Sequence, residues 1–370
     1  MRWMIPINQL DSQQIETIDA VVAGVDETHW IAGYAGTGKT IVLTHAMSQI
    51  ASAKLAGSIG FLTYTHALKD MVESGLKEKA RKQIKIRTIK SFRSTPEEFD
   101  HLFVDEIQDV EEDEIDTVLK NSAHVVVAGD PDQSIYKGRV NQEDINALLR
   151  RPNKYLLSNI YRLSENSFDI AMAINPLAKL VRGTALREDD DTNAKLCRFD
   201  DASNEAVAIY AEASRVTEEE LPSAILFPTH AAIYNFVCEI AKNEGWIQPP
   251  KPAKVLNKWD YSRFNSFLKA KGSPLMFLGS DNGSFFESDQ REIIYLMTYH
   301  SSKGLDFAHT FIPGLNTKAK IKQNWDSVDD ARRLFFVAAT RSRYQQYFSY
   351  HGDMHDFLQD IEHLLEEVNL

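Results

Sequence analysis

The chain has 370 residues, 43% of them hydrophobic, which is enough apolar material for two cored domains and excludes a collagenous, disordered or disulfide-stapled protein. Its 41 Lys and Arg against 53 Asp and Glu give a net charge of −12, so it does not coat nucleic acid by bulk charge, although a local basic groove stays open to it. Cys197 and Cys238 lack paired ligand spacing and read as buried thiols rather than as a disulfide framework or a structural zinc site.

In chain order, "MRWMIPINQLDSQQ" lacks the apolar run of a signal peptide. No later stretch reaches the ~20 uninterrupted apolar residues of a spanning helix, so a soluble, cytoplasmic chain without a membrane partner is expected. Asp11 and Gln14 have capping-box spacing ahead of Ile15, Ile18 and Val22, which opens a helix. Short β-rich runs then alternate with amphipathic stretches, the pattern of parallel α/β sheets. Strands are expected at 29–33, 60–64, 101–105 and 124–129, and a second series at 154–158, 224–227, 292–298 and 309–314. Pro152 breaks a helix between the two series, which places the domain boundary there and gives domains of 1–152 and 153–370. Segment 249–292, richer in Pro, Gly, Ser and Asn, reads as a small insertion with a hairpin at "SDNGS".

Two motifs carry phosphate chemistry. "GYAGTGKT" (33–40) fits G-x-x-x-x-G-K-[ST] between a β-like run and a helical one. Gly33, Gly36 and Gly38 let backbone N–H groups wrap phosphate oxygens, Lys39 supplies a point charge to the β/γ-phosphates, and the Thr40 hydroxyl is placed to ligate Mg²⁺. "HLFVDE" then puts two acids at a strand end, Asp105 for the metal and Glu106 as general base toward the attacking water. A third stretch, "KEKARKQIKIRTIKSFR" (77–93), sets eight cations against Glu78 alone. It reads either as a solvated face or as a nucleic-acid contact.

With "LDSQQ", "TYTHAL", "TIKSF", "VDEIQD", "GDPDQSIY", "NIYR", "LMTYHSSKGLDF" and "RRLFFVAATRS" in that order, the chain resembles superfamily 1 helicases of the UvrD/Rep/PcrA type. The resemblance covers nearly the whole chain. It implies two RecA-like P-loop NTPase lobes with mainly parallel sheets, with ATP in the cleft between them. It further implies that Gln14 recognises adenine, unless the capping box alone accounts for it. Tyr161 would stack on the base, unless it is a packed strand aromatic, and Asp306, where the family has Glu, would join the nucleotide site. Gln133 would sense the γ-phosphate, and Arg162 and Arg341 would reach it as arginine fingers, a group worth roughly 10³ to 10⁵ in rate. Tyr64, Thr65, His66, Thr88 and Lys90 on one lobe, and Thr298, His300 and Lys303 on the other, would grip a single strand by phosphate contact and stacking.

The chain also departs from that pattern. Gly138 stands where the family carries a stacking Trp after "SIY", leaving Tyr136 or Arg139 to substitute, and Lys90 stands where a His is usual. Only 12 residues separate Phe92 from Asp105, where the larger relatives insert an accessory domain. The leading expectation is an ATP- and Mg²⁺-dependent translocase or helicase on single-stranded DNA, 3′ to 5′ by family analogy, with RNA as the alternative strand and a protein partner supplying strand separation or nuclease activity. The runner-up is a nucleic-acid-gated ATPase switch or regulatory subunit of a repair or phage-defence complex. A P-loop kinase or GTPase is disfavoured by Gln133, Arg162 and Arg341 lying in motif order.

Overall fold

The computed structural model describes residues 3–34, 36–53, 57–129, 142–161, 163–176, 194–218, 222–256, 258–285, 292–321 and 327–370. Described residues up to Tyr161 form one compact unit, and those from Leu163 onward form a second.

The first unit is built on β1 (His29–Gly33), β2 (Ile59–Thr63), β3 (Ile84–Thr88), β4 (Phe99–Val104), β5 (Ser122–Gly129) and β6 (Asn153–Leu157). Their order is β3-β2-β4-β5-β1-β6 and every neighbouring pair is parallel. Parallel neighbours need crossovers, and α2 (Lys39–Ala53), α3 (His66–Gly75), α4 (Glu78–Arg81), α5 (Ile89–Ser94), α6 (Glu112–Lys120) and α7 (Gln142–Leu148) supply them, with α1 (Ser12–Ala23) leading in. Both β1 and β2 are buried along their whole length, as strands covered on two faces must be. Trp30, Leu62, Phe92, Leu102, Val104 and Val127 form the centre of the core, each contributing about 1.5–3 kcal/mol by leaving water. All six strands end on one edge, where open parallel sheets bind ligands.

The second unit carries α8 (Glu165–Ile174), β7 (Lys195–Phe199), α9 (Ala202–Val216), β8 (Ser223–Phe227), α10 (His230–Asn243), β9 (Ala253–Val255), β10 (Lys258–Asp260), α11 (Ser262–Ala270), β11 (Leu275–Phe277), β12 (Ile294–Thr298), β13 (Thr310–Ile312), α12 (Val328–Ala339), β14 (Gln346–His351), α13 (Asp356–Gln359) and β15 (Glu366–Glu367). Its main sheet, β11-β12-β8-β13-β14-β7-β15, is again parallel throughout, while β9 and β10 pair antiparallel beside it. Phe227, Phe236, Tyr261, Phe264, Phe277, Phe311 and Tyr347 fill its core. The expected α/β architecture with two mainly parallel sheets is therefore what the chain adopts.

Several expectations need correcting. The strand after Pro152 does not open the second domain: β6 pairs with β1 from His29↔Asn153 to Gly33↔Leu157, so the division falls about ten residues later. Segment 249–292 is not wholly an insertion, because β11 lies within it and forms the edge of the main sheet. At "SDNGS", Ser280 and Asp281 have φ of 51° and 64°, the primed-turn geometry, but the residues closed by it form a single Gly279↔Asn282 bridge. The antiparallel ladder lies earlier, at β9 and β10. Cys197 is buried, and burial pushes its thiol up to about 12, whereas Cys238 is only partly covered. Among the described residues, no helix is long and apolar enough to cross a membrane.

Candidate nucleotide and nucleic-acid sites

The loop after β1 turns into α2 through Gly36 and Gly38, whose φ values of 81° and 83° lie in the left-handed region that glycine adopts without a Cβ penalty. A Cβ at Gly38 would also stand 2.6 Å from Gln14 Nε2. Lys39 opens α2, and its Nζ donates to the carbonyls of Gly33 at 2.8 Å and Tyr34 at 2.9 Å, so the ammonium is held inside the curl of the loop.

On the far side of β5 from β1, the end of β4 delivers Asp105. The Thr40 hydroxyl donates to Asp105 Oδ2 at 2.7 Å, and Oδ1 accepts the Glu106 N–H at 3.0 Å. Asp105 is 1% exposed. Burial, then the charge of Glu106, pushes its carboxyl well above the usual range, against the pull of Thr40 and Lys39. A hydroxyl and a buried carboxylate side by side form a hard-oxygen donor set, and a divalent cation there would remove the penalty that raises Asp105. This is the fit expected of Mg²⁺, which takes one or two protein oxygens and completes its shell with water and phosphate. Glu106 itself has left-handed backbone, φ 57° and ψ 46°, and its Oε2 accepts from Gln108 Nε2.

Gln14 satisfies the capping box, with its Oε1 accepting the Asp11 N–H at 3.2 Å and the Asp11 carboxylate accepting the Gln14 N–H at 2.7 Å. Its Nε2 donates to the Thr37 carbonyl at 3.1 Å. Only 5% exposed, its amide is turned into the phosphate loop, and adenine readout would require it to leave these partners. Tyr161 is not a packed strand aromatic: it is 39% exposed, beyond β6, with its N–H on the Gly36 carbonyl and its hydroxyl on Asp11. Burial and that bond push the phenol up to about 12. Asn159 Nδ2 joins the same Asp11 oxygen at 3.1 Å, and Ser158 bonds Gln13 Oε1. Burial would raise the Asp11 carboxyl, but the bonds from Tyr161, Gln14 and Asn159 outweigh it and hold the group below its ordinary value.

The residues of the first unit expected to grip a strand come together because β2 and β3 are in register, Thr63 beside Thr88. Tyr64 is half-buried, and Lys90 Nζ lies 5.7 Å from its ring centroid. Thr65 and Thr88 cap α3 and α5, accepting from Leu68 N–H at 3.1 Å and Ser91 N–H at 3.3 Å, with His66 at the start of α3. Thr88 is buried, so its hydroxyl serves the helix. The basic run 77–93 is not one cationic face: Lys82 pairs with Glu78, Lys85 and Arg87 pair with Glu97, and Arg93 pairs with Asp113.

In the second unit Thr298 ends β12, caps the following turn through Ser301, and is 5% exposed. His300 is half-buried and Lys303 is 6% exposed. Asp306 is ion-paired with Arg343, and this pairing, against burial, raises the Arg343 guanidinium above its ordinary value. Arg341 is 5% exposed and donates to the carbonyls of Val337 at 2.7 Å and Leu305 at 3.0 Å and to the Thr340 hydroxyl at 2.8 Å. Gln133, Tyr136, Arg139 and Arg162 lie outside the described residues.

Two family descriptions match, one per unit: an AAA domain over residues 17–139 and the UvrD-like helicase C-terminal domain over residues 260–353. The ATP-dependent DNA helicase Rep of Buchnera aphidicola subsp. Schizaphis graminum is 45% identical over 60 residues, 15% of this chain and 9% of that protein. Both units are thus similar to UvrD/Rep-type superfamily 1 helicases. Rep of Buchnera aphidicola subsp. Acyrthosiphon pisum is 38% identical over 66 residues, 17% of this chain, and these matches span 9% and 10% of the two Rep proteins' own length. A solved arterivirus nonstructural protein 10 (helicase) is 14% identical, covering 95% of this chain and 64% of that one at a TM-score of 0.41.

In this chain the motif residues Lys39, Thr40, Asp105 and Glu106 are brought to one edge of the first sheet, and Tyr64 and Lys90 to another part of that edge. Sequence reading missed Asp11 as a hub, Gln13 and Asn159 as its neighbours, and Gln108 on Glu106. Asp11 and Tyr161 are 150 residues apart, and the β1–β6 pairing helps bring them together.

Proposed function

We propose that this chain hydrolyses ATP and uses the cycle to move along single-stranded nucleic acid, DNA in the 3′ to 5′ direction. The observation that carries the reading is the Thr40–Asp105 hydrogen bond, with Lys39 and Glu106 flanking it at the ends of β1 and β4. Lys39 would exchange its two loop carbonyls for phosphate oxygens. Glu106 would accept a proton from the attacking water while Gln108 holds its carboxylate in place. Mg²⁺ at Thr40 and Asp105 would neutralise the charge of the transferring phosphoryl group. Arg162 and Arg341 would complete the site as cis fingers, Arg341 after leaving Val337, Leu305 and Thr340. Tyr64 and Lys90 would hold the strand, and the name of the Rep relatives favours DNA. Measuring ATP hydrolysis against single- and double-stranded DNA and RNA tests this: single strands should stimulate turnover, and turnover indifferent to every nucleic acid would overturn it.

A second reading, a nucleic-acid-gated ATPase switch serving a larger complex, is favoured by the connection of 12 residues from Phe92 to Asp105. A block bound at either end of a labelled single strand separates the two. Displacement from one end only supports the motor, and hydrolysis without displacement supports the switch.

A further inference from the structure

At the ends of β8 and β12 the second unit opens a pocket of about 880 Å³, lined by His230, Tyr234, Trp259, Tyr261, Thr298 and His300. The volume is that of a small-molecule or nucleotide site. Its charge is one-sided. The described lining residues include Lys251, Lys254 and Lys320 and no carboxylate, in a chain whose net charge is −12. All three lysines are exposed.

The aromatic groups are set rather than loose. In the β9–β10 ladder Trp259 lies opposite Lys254. The indole stacks on His230, with centroids 4.6 Å apart, and the Trp259 main-chain carbonyl accepts from Asn282 Nδ2 at 3.0 Å. His230 is in turn held by the Tyr261 hydroxyl at 2.9 Å, and Tyr261 is stacked on Phe277. Burial, then Lys254 and His300, lower the His230 imidazole to about 4, so at neutral pH it backs the indole as an uncharged ring. Lys254 Nζ is 5.5 Å from the Trp259 centroid and Lys251 Nζ 5.9 Å from that of Tyr234. Each aromatic face thus has a cation on a long, exposed arm beside it. A planar group carrying a phosphate meets both features at once.

Resting on the single-strand reading above, we propose that this pocket takes one base of the bound strand, with Trp259 as the stacking platform and Lys254 and Lys320 on the adjoining phosphates. Thr298 and His300 line the same pocket, which makes it continuous with the strand grip of the second unit. It also supplies a stacking surface in a chain that has Gly138 where the family carries a tryptophan.

Fluorescence anisotropy on the whole chain tests this with an oligothymidylate of about 20 nucleotides and its abasic counterpart. Trp259→Ala should weaken oligothymidylate binding about tenfold and abasic binding less than about twofold, and Trp259→Phe should restore most of the loss. Lys254→Gln should weaken both strands alike and reduce the salt slope by about 0.7. If wild-type protein binds oligothymidylate and Trp259→Ala binds it equally well, or loses both strands equally, the pocket assignment fails while the motor reading stands. If wild-type protein binds neither strand, both fail together.

Discussion

In the first unit the loops after β1 and β4 converge on Lys39, Thr40, Asp105 and Glu106, whereas in the second the ends of β8 and β12 border a pocket lined by lysines and aromatic rings. Both edges are the strand-end edge of a parallel sheet, where the fold makes room for a ligand. The chemistry placed there is opposite. One edge buries a carboxylate whose pKa is raised by burial and by the neighbouring Glu106, a demand met by a cation. The other gathers cations around flat apolar faces, a demand met by a polyanion with bases. Buried carboxylates make the same contrast. In the second unit Glu205, 3% exposed, is satisfied internally by the Gly314 N–H at 2.7 Å, the Ser349 hydroxyl at 2.6 Å and His351 Nδ1 at 2.5 Å, so its role is to hold α9 to β14. One architecture, used twice, leaves function to the loops.

The contrast breaks most decisively at the first edge. Lys39→Ala and Glu106→Gln should each lower strand-stimulated ATP hydrolysis at least about a hundredfold, and Glu106→Gln should still retain nucleotide on a filter. Near-normal turnover in either variant would remove the chemistry from this edge. Next in size, Tyr64→Ala should weaken single-strand binding about 5- to 100-fold with nucleotide retention intact, because stacking, not phosphate contact, is lost. Equal loss of nucleotide retention would show that Tyr64 supports the fold instead. Asp11→Ala removes the α1 cap and the anchor of Tyr161 and Asn159. It should cost about 1 kcal/mol, a fall of about 2–4 °C in Tm by thermal unfolding.

The smallest effect lies in the second unit. The Glu205 bond, against burial, raises the His351 imidazole above its ordinary 6.5. A group raised by folding stabilises fully below its unfolded pKa and loses that contribution as pH rises through the folded value. The Tm deficit of His351→Gln should therefore be largest below pH 6.5 and shrink above it, and a deficit that grew with pH would contradict the pairing.

Much of this was legible because phosphate chemistry is local in sequence. Gly36, Gly38, Lys39 and Thr40 share one turn, and Asp105 and Glu106 follow the end of β4, so spacing alone locates them. What escaped was non-local or disguised. β3 reads as a cation run until its alternation, Ile84 and Ile86 inward with Lys85 outward, is separated from its charge. β14 hides because Gln346 and Ser349 are buried polar groups bonded to the Ala339 carbonyl and to Glu205. Neither the Asp11–Tyr161 tie nor the Asp306–Arg343 pair leaves any mark in spacing, since each depends on strands that pair far apart in the chain.

The left-handed backbone of Glu106 sets stability against work. Any L side chain there costs about 1–2 kcal/mol that glycine would not. Glu106→Gly should therefore gain at most about that much unfolding free energy, melting slightly higher than the natural chain, while hydrolysing nothing. Heat resistance selected without activity would favour glycine at this position, so a screen for robust variants of this protein has to count turnovers as well as survivors.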